Sequence, residues 1–123
     1  MFDRARYVAC EIAAICSNHN INHVDIEGLA FGATGNVARD LAGLLFSIIN
    51  ITKVHIPTAC FTLHPPTLVK KMAVGTSKGV DKKQMIDALP EDIRTLFEHA
   101  GYKKTTGLSD LADAYWIGCC SQM

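Results

Sequence analysis

The sequence predicts an α/β fold in which parallel strands are covered by helices. Three observations predict it. Two short apolar strands, read at Ile21 to Glu27 and at Thr52 to His64, are separated by a stretch of helical periodicity. A helical crossover of that length brings the second strand back parallel to the first. Further helical patterns precede the first strand and follow the second, giving the order α-β-α-β and then helices. The 123 residues, 49% hydrophobic and 20% charged, fit one globular domain over residues 1–123 and exclude a disordered chain.

The elements follow in order. Asp3 is placed to N-cap a helix running to about Ser17, with Tyr7, Val8, Ile12, Ile15 and Cys16 at helical spacing. Asn18-His19-Asn20 stops it. The strand Ile21 to Glu27 runs into a loop, Gly28 to Asn36, that contains three glycines. Val37 to Asn50 reads as a strongly amphipathic helix. The second strand has its regular part at Thr58 to Leu63, and Pro57 marks an edge, a bend or the strand's beginning. Pro65-Pro66 opens a helix over Thr67 to Val74, because a first helical turn does not need the missing N–H. Gly75 to Val80 is a turn, Lys82 to Ala88 a helix, and Pro90 opens another over Glu91 to Ala100. Lys103 to Ser109 reads as a loop before a last helix, Asp110 to Cys120. Tyr115 and Trp116 on that helix are expected in the core.

Several function classes are excluded by composition. No apolar run approaches the roughly 18 residues of a membrane span, and the mixed charge of Met1 to Arg6 is unlike a signal peptide. The five cysteines include no C-x-x-C pair, so reduced thiols in a cytoplasmic protein are expected. The loop Gly32-x-x-Gly35 has neither G-x-G-x-x-G nor a following Lys-Ser/Thr and is no nucleotide-phosphate loop. Net charge is zero, yet Lys70, Lys71, Lys78, Lys82 and Lys83 face one acid, Asp81, between Pro66 and Lys83. Such a local basic patch suits phosphate contacts as well as a plain solvated face.

Three acids carry the chemistry. Glu27 ends a strand, where open α/β sheets collect their binding groups. Asp110 and Asp113, three apart, share one helix face. Read as the first turn of the last helix, they would both be favoured by the positive end of its dipole. Clustered carboxylates repel, and a hard cation such as Mg²⁺ relieves the repulsion. Two such ions activate a water and stabilise the leaving oxygen of a phosphodiester. The bland alternatives are a surface glutamate and a helix-capping aspartate pair.

Five stretches occur in a particular order: Val24-Asp25-Ile26-Glu27-Gly28-Leu29-Ala30-Phe31, Asn36 to Leu41, Leu68-Val69-Lys70-Lys71-Met72-Ala73-Val74-Gly75, Asp81-Lys82-Lys83-Gln84-Met85 and Asp110-Leu111-Ala112-Asp113-Ala114. In that order the sequence resembles the RuvC-type Holliday junction resolvases, closest to their phage-like branch. The resemblance covers most of the chain. It implies a ribonuclease H-like fold, a homodimer, and Mg²⁺-dependent nicking of four-way DNA junctions in recombination and repair, with Mn²⁺ able to replace Mg²⁺. It implies Glu27 as the strand-end metal ligand and Asp110 and Asp113 as the C-terminal acidic pair. Lys70 and Lys82 become basic catalytic residues at the scissile phosphate, with Lys83 an alternative to Lys82. Phe31 becomes an aromatic that stacks on junction bases, with core packing its alternative, and Lys71, Lys78 and Lys83 extend the DNA-binding surface.

The sequence also departs from the family. The family's first strand, with its first metal-binding Asp, and the hairpin after it have no counterpart before the helix at Asp3. The expectation is therefore an N-terminally truncated domain. Its missing carboxylate comes from a longer product or a partner chain, or catalysis is lost and a binding or structural role remains. Of the histidines, His23 shares the Glu27 strand and is expected to be buried and hydrogen-bonded rather than a metal ligand.

Overall fold

The computed structural model describes residues 2–28, 35–103 and 105–122. They form α1 (Phe2–Asn18), β1 (His23–Glu27), α2 (Gly35–His55), β2 (Cys60–His64), α3 (Pro66–Val74), α4 (Lys82–Asp87), α5 (Glu91–His99) and α6 (Thr105–Cys120). The class is α/β, mostly helical, with β1 and β2 paired in a two-stranded parallel sheet. The chain divides into two compact units, Met1–Leu63 and His64–Met123.

In the first unit, α1 packs along α2. The buried stripe of α1 is Ala5, Ala9, Ala13 and Cys16, small residues at helical spacing that let the neighbouring helix approach closely. The stop at the end of α1 works as the turn formers predict. Asn20 adopts the left-handed conformation (φ +54°), and the Ile21 N–H reaches back to the Cys16 carbonyl at 2.8 Å, closing a Schellman-type cap. The helix itself starts at Phe2, so Asp3 lies inside its first turn rather than before it.

The boundary between α2 and β2 differs from the sequence reading. Thr52 to His55, read as the beginning of a strand, continue α2. The β-branched Ile51, Thr52 and Val54 favour extended structure locally. Helical spacing instead puts Ile48 and Thr52 on one face, and both are buried there. Tertiary burial overrides the local preference. Pro57 falls in the turn that follows, the Ala59 N–H donates to the Ile56 carbonyl at 2.9 Å, and the Cys60 N–H donates to the Asn22 carbonyl at 2.8 Å beside β1.

In the second unit, α6 packs against α3 and α4. Ile86, Leu89, Leu108 and Ala112 form one buried cluster, with Ile93 and Phe97 of α5 against it. Val69, Met85 and Cys120 form another, and Trp116 touches both. Tyr115 and Trp116, expected in the core, are partly buried and pack against it, their rings edge to face at 5.0 Å. Here too an element extends beyond its sequence reading. The polar run Thr105 to Ser109 reads as loop, but Leu108 and Ser109 are buried and belong to α6, which begins at Thr105.

Thr52 is fully buried, at 0% exposure, and its hydroxyl has no hydrogen-bond partner among the described residues. A buried hydroxyl without a partner costs about 1–3 kcal/mol. Thr52→Val keeps the shape and removes the cost, and the two residues have similar helix propensities. The expected outcome is a gain of about 1 kcal/mol, read as a higher urea midpoint at unchanged m-value.

Candidate active site

Trp116 sets the geometry of the second unit. Its indole N–H donates to the Met85 carbonyl at 3.1 Å, tying α6 to α4. One turn before Trp116 on α6 stands Asp113, and one turn before Met85 on α4 stands Lys82. The bond that joins the two helices therefore also fixes the spacing of an acid and a base. On α3, the buried Val69 packs with Met85 and carries the adjacent Lys70 into the same region.

Lys82 is the first residue of a helix with a well-defined start. The Gln84 N–H donates to Asp81 Oδ1 at 2.8 Å, and the Asp81 N–H donates to Gln84 Oε1 at 2.9 Å, a complete capping box. The D-x-x-Q spacing of Asp81 and Gln84 carries this signal in the sequence.

The electrostatics show which of these groups act on each other. The carboxyl of Asp113 is raised above its ordinary value, first by burial and then by the negative charge of Asp110. The charges of Lys82 and Lys70 pull it back down. Three charged residues from three separate stretches of sequence, Asp110, Lys82 and Lys70, thus act on the half-buried Asp113. Between the adjacent lysines Lys82 and Lys83, Lys82 is the one whose charge acts on Asp113.

The early start of α6 corrects one argument for the acid pair. Asp110 is the sixth residue of the helix and Asp113 the ninth. The dipole effect fades within the first turn, so what favours the charged form of Asp113 is the positive charge of Lys82 and Lys70, which only partly offsets burial and Asp110.

The remaining candidates lie as follows. Glu27 belongs to the first unit, exposed at the end of β1. His23, Asp25 and Glu27 alternate onto one face of that strand. His23 is hydrogen-bonded, as expected, but exposed rather than buried: its Nε2 lies 3.2 Å from Asp25 Oδ1 and 3.4 Å from Thr62 Oγ1. Lys71 is exposed near the end of α3, whose last turn closes at Gly75 (φ +91°). Lys78 is exposed in the following turn, its N–H on Thr76 Oγ1 at 3.3 Å, and Lys83 is exposed on α4. Phe31 lies outside the described residues.

As donors, Asp110 and Asp113 offer oxygen alone, which suits a hard divalent cation such as Mg²⁺ or Mn²⁺. A cation would also relieve the repulsion that raises Asp113. Among the described residues, no group of three or more His, Cys, Asp or Glu is gathered to hold a metal ion. No described helix is long and apolar enough to cross a membrane. No protein-family model matches the chain, and no curated protein matches its sequence.

Two predictions follow from this geometry. The folded state holds the Asp113 proton to a higher pH than the unfolded chain does. Its contribution to stability is therefore full below the ordinary value of 3.8 and is lost as pH rises through the raised folded value. Asp113→Asn removes that loss, so thermal melts of the variant should lack this decline and show a stability at pH 7 no lower than wild type. Trp116→Phe keeps most of the apolar contact but leaves the Met85 carbonyl unbonded. The expected cost is about 1–3 kcal/mol in chemical denaturation.

Proposed function

We propose that this protein is a metal-dependent, structure-specific endonuclease that nicks branched DNA, on the pattern of the RuvC-type Holliday junction resolvases with their ribonuclease H-like fold. The observation that carries the reading is the convergence of Asp110, Lys70 and Lys82 on Asp113. The resemblance assigns these same four residues as acid pair and phosphate-binding bases. An acid pair beside two lysines is the charge pattern that phosphodiester hydrolysis needs: carboxylates for a cation and bases for the phosphate.

In this reading, Asp110 and Asp113 would hold Mg²⁺ or Mn²⁺, and Glu27 is a metal ligand by the resemblance alone. When bound, the metal supplies an activated water and stabilises charge on the leaving oxygen. The chain's own residues do the rest. Lys70 and Lys82 neutralise the phosphate at the point of cleavage and oppose the upward pull of burial and Asp110 on the Asp113 carboxyl. Lys71, Lys78 and Lys83 hold the flanking backbone, and Phe31 meets the bases. A second copy of the chain would present the same groups to the opposite strand of a symmetric junction. Phe46 and Val54, exposed by 70% and 78% on the outer side of α2, support a homodimer by offering apolar surface.

The balance of charge favours one further reading, a non-catalytic ribonuclease H-like domain that binds nucleic acid. Two lysines already compensate the acid pair, so phosphate contacts do not require a cation.

A labelled four-way DNA junction tests both. With Mg²⁺ or Mn²⁺, the protein should cut it, and Glu27→Gln or Asp110→Asn should lower the rate at least about 100-fold, as loss of a group acting on transition-state charge does. Full activity in either variant overturns the assignment. Retardation without cutting, weakened steeply by salt, establishes the binding reading instead.

A further inference from the structure

Gln84 has no part in the proposed chemistry, yet it closes the turn that carries Lys82. The helix α4 has six residues, Lys82–Asp87, and Lys82 is the first of them. Isolated helices shorter than about 12 residues are marginal in water, so the start of α4 depends on contacts beyond its own ladder. Gln84 makes two of these. Its N–H donates to Asp81 Oδ1 at 2.8 Å, and its Oε1 accepts from the Asp81 N–H at 2.9 Å. The chain is anchored on either side of this cap. Val80, just before Asp81, packs against the buried cluster that contains Met85, just after Gln84. An apolar contact across those two positions is the staple that accompanies a capping box.

The side chain of Gln84 does not serve the core. It is exposed, whereas Met85 and Ile86 beside it are buried. Its contribution is the bond from Oε1 to the cap. Without that bond the first turn frays, and Lys82 at its first position frays with it. Met85 stays tied to α6 through the Trp116 indole, so the loss is confined to the turn before it. The charge of Lys82 acts on Asp113 of α6. Where the backbone of Lys82 stands therefore sets where its ammonium group stands beside the acid pair.

We infer that Gln84 is a positioning residue for the nicking reaction: by closing the cap of α4, it holds Lys82 in place for the scissile phosphate. The inference rests on the reading of Lys82 as a phosphate-binding residue given above.

The test is single-turnover cutting of a labelled four-way junction by the full chain with Mg²⁺, well below the melting temperature. The saturated rate and the half-saturating concentration are read separately. Gln84→Ala should lower the saturated rate about fivefold, the factor equivalent to about 1 kcal/mol of lost capping. Half-saturation should stay within about twofold, because Lys71 and Lys78 lie outside the frayed turn and still meet the flanking backbone. Gln84→Glu closes the same box and should cut within about twofold of wild type, which also answers for an alanine variant that folds poorly. Lys82→Ala should cut at least about tenfold more slowly. Adding Gln84→Ala to Lys82→Ala should slow cutting by less than about twofold more, since no lysine is left there to position. A merely structural glutamine would show its full effect again. A wild-type rate in Gln84→Ala, a full second slowing in the double variant, or equal slowing in Gln84→Ala and Gln84→Glu overturns the role of Gln84 and leaves that of Lys82. A wild-type rate in Lys82→Ala overturns the Lys82 assignment, and a wild-type protein that does not cut overturns the endonuclease reading. The role of Gln84 falls with either.

Discussion

The second unit depends on the hydrogen bond from Trp116 to the Met85 carbonyl. The indole touches both buried clusters of the unit, and its N–H reaches a backbone acceptor on another helix. A buried N–H must be satisfied, and a backbone carbonyl near the end of a short helix is open to such a donor. The result is directional. Hydrophobic contact alone would let α4 slide along α6, whereas this bond fixes one position against the other. The acid and the base that matter to the proposed chemistry each lie one turn from its two ends.

That constraint explains how a surface site can be well defined in a small unit. Lys82 is held by a capping box at the start of α4, Lys70 by its buried neighbour Val69, and Asp113 by the packing of α6. None of the three depends on a long loop. The raised carboxyl of Asp113 is the electrostatic cost of this placement. Functional sites commonly carry such a cost, because a charge kept partly out of water beside a like charge is ready to receive a cation or a proton.

The first unit is organised differently. Among its described residues the core is a stripe of alanines with Cys16, Ile48, Thr52 and Ala59, and most residues of β1 and β2 are exposed or half-buried. Alanine permits close helix contact but buries little area, so this unit gains less from packing than the second. Phe46 and Val54 leave apolar surface exposed on α2.

The sequence by itself determined the element order, the stop after α1, the proline start of α3 and the list of charged candidates. Proline at the start of α3, the turn formers after α1 and the spacing of Asp110 and Asp113 act over a few residues, where local rules suffice. Tertiary structure decided the rest. Thr52 to His55 and Thr105 to Ser109 became helical because burial of Thr52, Leu108 and Ser109 outweighed local preferences of a few tenths of a kcal/mol per residue, roughly the scale of intrinsic propensity. It also decided that Lys82 rather than Lys83 acts on Asp113, and that His23 engages Asp25. Adjacent residues are equivalent in composition and charge. Only the rotation and position of one helix against another, here set by Trp116, tell them apart.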